Sequence, residues 1–254
     1  ARNDWQRVEV HSKDGTKLVG TYIPGESGSR NTVILLHGLY QNRTMCIPYA
    51  NIYRRMGYNV LMADLRGHGE SEGGHTDWGI HDVEDMNAWV SLLRSKNPQM
   101  QIGFHGVSLG AAMALIYSAS DEGKQMKFYV ADSSYGDLLD LGRDKLMKYT
   151  GDDRLVLGMD ILNPFFQAAL YMHTGKLLSD IDPVNRVQHM TSPVLFLHGA
   201  KDQLVPPEVA ELLLADSSST NKKLYIFQGA SHTMEMSTNG PAYREYVTDF
   251  IKNT

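Results

Sequence analysis

The chain has 254 residues, 42% of them hydrophobic and 21% charged, with 24 Lys plus Arg against 29 Asp plus Glu and a formal net charge of −5. These proportions describe a globular chain long enough for one large core; with no Lys/Arg cluster they exclude a nucleic-acid surface and argue against an anionic membrane. A lone cysteine, Cys46, cannot form an internal disulfide and offers no zinc framework, and apolar runs of about 5 to 7 residues fall short of the ~20 a membrane span requires.

In chain order, Trp5–His11 and Lys17–Ile23 flank Asp14-Gly15, a strong hairpin signal, and read as an antiparallel pair. Short β-branched runs then alternate with amphipathic stretches, the pattern of a parallel sheet with crossover helices. The strands are expected at Thr32–His37, Asn59–Ala63, Gln101–His105, Lys127–Ala131, Pro193–His198 and Lys223–Gln228, making eight with the hairpin. Helices are expected at Thr44–Met56, Asp77–Ser95, Leu109–Ser118, Pro206–Ala215 and Ala242–Ile251. Leu109–Ser118 is small and apolar all round, as a helix buried against a sheet should be.

The interval between Lys127–Ala131 and Pro193–His198 is far longer than a simple crossover needs. It carries helical pieces at Leu138–Tyr149 and at Pro164–Met172, the latter with Asn163 as N-cap, and it is rich in large apolar residues. The expectation is a single domain over 1–254 with a cap inserted at 137–190, lying over one end of the sheet. The plainer alternative is an extended crossover that packs its own small core.

Gly106-Val107-Ser108-Leu109-Gly110 matches G-x-S-x-G between an expected strand and a small-residue helix. Strand, sharp turn, helix is the setting that pushes a serine hydroxyl out at the carboxyl edge of a sheet, with the helix N-terminus facing any oxyanion formed there. A serine hydroxyl is a poor nucleophile without a base. Asp202 follows the strand ending at His198, and His232 follows the last strand, which gives the chain order Ser, Asp, His with each residue in a loop after a strand. Asp132, one strand earlier, is a rival acid. The expected oxyanion donors are the backbone amides of Leu109 and, in the His37-Gly38-Leu39-Tyr40 loop, of Leu39.

The segments His37-Gly38, Asp64-Leu-Arg66-Gly67-His68-Gly69-Glu-Ser71, GVSLG, HGAKDQLVP and GASH together resemble the bacterial α/β-hydrolases of the serine-aminopeptidase and carboxylesterase type. The resemblance runs from residue 32 to 232 and implies an α/β-hydrolase fold: an eight-stranded, mostly parallel sheet with helices on both faces and a helical cap. It implies that Asp64, Arg66 and Ser71 fix a polar turn, with His68 a hydrogen-bonded loop residue. Compartment reads two ways, cytoplasmic or extracytoplasmic with an N-terminal anchor outside this chain.

The leading functional expectation is a serine carboxylesterase acting on small esters with an aliphatic or aromatic acyl group, through Ser108, His232 and Asp202 and without metal or organic cofactor. Pocket candidates are Tyr40, Met159, Phe165, Phe166 and Met172, and Cys46 reads as an inert buried thiol. The partner is a small-molecule ester, and no segment points to an obligate protein partner. Two rivals stay open. A serine aminopeptidase or amidase needs a carboxylate to hold a substrate ammonium, for which the insertion offers Asp144, Asp152, Asp153 and Asp160. A ligand-sensing hydrolase-fold protein with slow turnover is the other.

Overall fold

The computed structural model describes residues 4–254. Its core is one eight-stranded sheet: β1 (Gln6–His11), β2 (Lys17–Ile23), β3 (Asn31–Leu36), β4 (Asn59–Ala63), β5 (Gln101–Val107), β6 (Tyr129–Asp132), β7 (Val194–Gly199) and β8 (Lys222–Phe227). The spatial order is β1-β2-β4-β3-β5-β6-β7-β8. The Asp14-Gly15 turn closes the antiparallel β1–β2 hairpin, and β2 then pairs antiparallel with β4, while the remaining pairs are parallel. The parallel strands β3 to β7 are buried on both faces, hence their continuous apolar runs.

Each sheet face carries its own apolar layer. Ile34, Leu36, Phe104 and Phe196 point into one, with Trp89 of α2 (Asp82–Lys96) and most of α3 (Leu109–Ser118). Val33, Leu35, Leu195 and Leu197 alternate into the other, against Tyr53 of α1 (Ile47–Arg55) and Phe250 at the C-terminal end of the chain. The period of two along each strand thus divides helices between the faces.

Several boundaries differ from expectation. Residues 43–46 form a 3₁₀ turn capped by the Asn42 side chain, so α1 begins only at Ile47, with Pro48 in its first turn. The second helix starts at Asp82 rather than Asp77, because Trp78 and Gly79 both adopt positive φ, which no helix accommodates.

The insertion holds the largest departure. After α4 (Leu138–Thr150) comes one continuous helix, α5 (Asp153–Thr174), capped by Asp152 rather than by Asn163, with Pro164 inside it. Proline deletes one backbone hydrogen bond. On a helix without a single buried residue, water can take the freed carbonyl. α6 (Pro183–Val187) then packs on α3, so this end of the insertion belongs to the body of the domain. Run length also misjudged α5: single polar residues interrupt it, yet over 18 residues its mean hydropathy is 1.3, enough by length and composition to cross a membrane. The chain closes with α7 (Glu208–Asp216), α8 (Glu235–Thr238) and α9 (Gly240–Lys252).

Candidate active site

Ser108 stands between β5 and α3 with φ 53° and ψ −113°, a left-handed conformation that costs a non-glycine residue of order 1–3 kcal/mol. The two flanking glycines make the turn possible. A Cβ on Gly106 would lie 2.1 Å from the Gly110 carbonyl oxygen, and one on Gly110 would lie 2.4 Å from that of Leu36. The Ser108 amide is tied to the Asp132 carbonyl at 2.8 Å, which anchors the turn to β6.

Three residues distant in sequence meet here. Ser108 Oγ lies 2.9 Å from His232 Nε2, and His232 Nδ1 lies 2.6 Å from Asp202 Oδ2. The other Asp202 oxygen accepts from the Leu204 and Val205 amides at 2.8 and 2.9 Å. Burial opposes the Asp202 charge, but hydrogen bonds from His198, His232 and the Val205 amide outweigh it and hold this carboxyl well below the usual carboxylate range. Asp202 therefore stays ionised, fixing Nδ1–H on its own side of the imidazole and leaving Nε2 free to accept the serine proton. The rival Asp132 is fully buried and bonded to Tyr243 and Ser133, on a different set of partners from His232.

Sequence reasoning missed a second histidine on the same carboxylate. His198 Nε2 lies 2.9 Å from the Val205 carbonyl oxygen and 3.2 Å from Asp202 Oδ2. Burial alone would lower its pKa, but these two acceptors raise it overall. The i,i+4 spacing of His198 and Asp202 in HGAKD was the available signal.

Of the expected oxyanion donors, Leu109 directly follows the serine, and the loop of Leu39 approaches it: a Cβ on Gly38 would lie 3.5 Å from Ser108 Cβ. Leu109 N–H is at the first helical position, where an amide has no intrahelical acceptor. The Leu39 loop is braced by Gln41, whose side-chain oxygen accepts from Gly38 N–H at 3.1 Å, and by His37. His37 Nδ1 lies 2.8 Å from the Gly38 carbonyl and its Nε2 accepts from the Leu65 amide at 3.1 Å, so the ring is neutral; burial accordingly brings its pKa down to about 4. The DLRGHGES segment is a polar turn: Arg66 pairs with Asp14 and Asp85, Arg43 with Asp64, Ser71 Oγ donates to the Asp64 carbonyl, and His68 bonds the Arg66 carbonyl.

Beneath α4 and α5 lies an apolar cavity of about 630 Å³, walled by Trp78, Leu138, Met159, Leu162, Phe166 and Leu170 among others. Its α4 wall lies near the same sheet edge: α4 follows the end of β6, and Lys145 of α4 donates to the Leu204 carbonyl beside Asp202 at 2.8 Å. Ser108 and His232 are not among its walls. A smaller cavity of about 250 Å³, lined by His37, Gln41, Val107 and Thr233, adjoins the serine and histidine loops.

Met159 and Phe166 line this cavity, while three other pocket candidates do not. Phe165, one residue and ~100° of helix from Phe166, faces outward at 72% exposure, and Met172 is likewise 78% exposed. Tyr40, at φ 59°, projects into solvent with 91% exposure. Asp144, Asp152, Asp153 and Asp160 also lie off the cavity: Asp160 pairs with Arg143, and Asp152 caps α5. Among the described residues the carboxylate on its wall is Asp77, already bonded to His81 Nδ1 at 2.6 Å. Cys46 is buried, its thiol pushed above the ordinary range by burial. No group of three or more His, Cys, Asp or Glu among the described residues is placed to hold a metal ion.

Sheet order, strained serine turn and the loops that carry Asp202 and His232 define an α/β-hydrolase. The chain belongs to the prolyl oligopeptidase family, whose sequence profile matches residues 48–254. It is 31% identical over 224 residues to the uncharacterized protein YqkD of Bacillus subtilis (strain 168), covering 88% of this chain and 72% of that protein. Among solved structures, the Pyrococcus furiosus esterase Pf2001 superposes with a TM-score of 0.78 at 28% identity, covering 98% of this chain and 92% of that one. The Exiguobacterium antarcticum esterase EaEST shares the fold, with a TM-score of 0.70 at 21% identity over 97% of this chain and 100% of that one.

Proposed function

We propose that this hydrolase is a serine carboxylesterase for small esters with an aliphatic or aromatic acyl group. The observation that carries the reading is the hydrogen-bonded line Asp202–His232–Ser108 ending on a strained, outward-facing serine. His232 takes the Ser108 proton as Oγ attacks the ester carbonyl, the Leu39 and Leu109 amides face the developing oxyanion, and His232 returns the proton to the departing alcohol. Water activated by the same imidazole then releases the acid. In this reading the insertion is a cap, the large cavity beneath it receives the acyl group and the small one receives the alcohol. The likeness to the Pf2001 esterase supports ester rather than amide chemistry.

Membership of a peptidase-named family favours amide cleavage as a second reading. It would need a carboxylate oxygen open to an ammonium; Asp77 commits Oδ2 to His81, and its Oδ1, though without a hydrogen-bond partner, is buried. A panel of nitrophenyl esters of increasing acyl length, run beside aminoacyl arylamides, decides between them. Ester turnover exceeding arylamide turnover, and lost in Ser108→Ala, is expected; the reverse order would replace the esterase reading.

A further inference from the structure

Behind the histidine loop two carboxyl groups are buried together. Asp132 and Glu235 are each fully shielded from solvent, and neither pairs with a lysine or arginine among the described residues. Ser133 Oγ lies between them, 3.0 Å from Asp132 Oδ1 and 2.8 Å from Glu235 Oε1. The same oxygen accepts the Thr233 amide proton at 3.2 Å, and Thr233 is the residue directly after His232. Glu235 Oε2 has no hydrogen-bond partner among the described residues.

The local backbone explains why such a brace is needed. Thr233 has φ 60° and Ser133 φ 56°, both in the left-handed region, where a β-branched residue such as threonine is an outlier. Conformations of that kind persist only where the surroundings over-determine them. Here the surroundings form one polar chain. Tyr243 of α9 donates to Asp132 Oδ2 at 2.7 Å, so its oxygen accepts from His105 Nε2 of β5 at 3.0 Å, and His105 Nδ1 accepts from Tyr53 of α1 at 2.9 Å.

We infer that Glu235, linked to Asp132 through Ser133, is a positioning residue that holds Thr233 in its strained turn and thereby keeps His232 on Ser108. The inference rests on the Ser108–His232 pair being the working site. It also explains the spacing His232-Thr233-Met234-Glu235: the glutamate begins α8 and reaches back under the loop that precedes it.

The titratable groups facing the pair are Tyr243 from α9, Tyr49 from α1, His105 from β5 beyond Tyr243, and His198 with Asp202 from β7 and its loop. Burial first, and then the Glu235 charge, raise the Asp132 carboxyl well above the usual carboxylate range. The sign follows. A raised carboxyl contributes while protonated and loses its contribution as pH climbs through the raised value, so the brace fails on the alkaline side when Asp132 gives up its proton beside the Glu235 charge.

The test compares the full chain with Glu235→Gln and Glu235→Ala in two assays: kcat and KM on a nitrophenyl ester across pH, and the rate at which a fluorophosphonate labels Ser108, read by mass spectrometry. For Glu235→Ala, kcat and the labelling rate should fall by about 10- to 100-fold with KM little moved, the effect of a catalytic group displaced by about 1 Å. In Glu235→Gln the side-chain amide oxygen can still accept from Ser133, but no second carboxylate faces Asp132. It should recover most of the rate at neutral pH and lose the alkaline limb expected of the wild type. If Glu235→Ala does not fold, the Glu235→Gln profile alone decides. An unchanged alkaline limb in Glu235→Gln, or an alanine variant with wild-type kcat and labelling, overturns the inference. Absence of labelling at Ser108 in the wild type would instead overturn the active-site reading.

Discussion

Two helices of this protein are strongly apolar and end in opposite situations. All ten residues of α3 are buried, whereas not one of the 22 residues of α5 is. The difference lies in side-chain size. Gly110, Ala111, Ala112 and Ala114 let α3 lie directly on the sheet, which fixes the Ser108 turn at its N-terminus. α5 carries Leu157, Ile161, Phe165 and Phe166, packs chiefly on α4, and lends one flank to a cavity. In the proposed reading, the reactive groups hang from the most deeply packed part of the molecule, and the surface offered to the apolar portion of a substrate hangs from the least embedded part.

The comparison can be broken hardest at its buried end. Ser108→Ala should lower kcat on a reactive ester by about 10⁶-fold, since the remaining members of such a triad accomplish little without the nucleophile. A residual rate within tenfold of wild type would show that Ser108 is not the attacking group. Asp202→Asn should cost about 10⁴-fold by presenting the wrong histidine tautomer to the serine, with an unchanged thermal midpoint as the control for folding. A negligible effect would return Asp132 to consideration as the acid.

The seat of α3 itself can be sharpened next. Ala112 is completely buried, so Ala112→Leu overpacks the helix–sheet contact and should destabilise by about 1–3 kcal/mol in urea unfolding, with esterase activity falling alongside. A stability equal to wild type would mean that α3 is not packed as closely as its alanines imply.

How much of this was legible in the sequence follows the same divide. The serine turn, Asp202, His232 and all eight strands were readable because each depends on local signals: a glycine-flanked serine, a run of β-branched residues, a residue placed just after a strand. The insertion was readable as an insertion, but not in its detail. Pro164 read as a helix start because an interior proline is normally penalised, and nothing local says that the helix is solvated and tolerates the loss. Phe165, Phe166 and Met172 read alike in composition, and only the phase of a continuous helix separates the one that lines the cavity from the two that do not. Glu235 stayed hidden for another reason: its role depends on Ser133, in the loop after β6, folding against it, and that contact has no sequence periodicity.

That helical phase supplies the mildest test. Phe166→Asp places a charge in the cavity wall and should lower kcat/KM for long-chain nitrophenyl esters by about tenfold, on the scale of one or two lost methylene contacts, while acetyl esters are turned over as before. Phe165→Ser, one residue away on the outer surface, should leave both esters and the unfolding free energy within about 0.5 kcal/mol of wild type. Should the two variants exchange behaviours, α5 must sit rotated about its axis when substrate is bound, and the cavity wall would have to be reassigned to the face that now points to solvent.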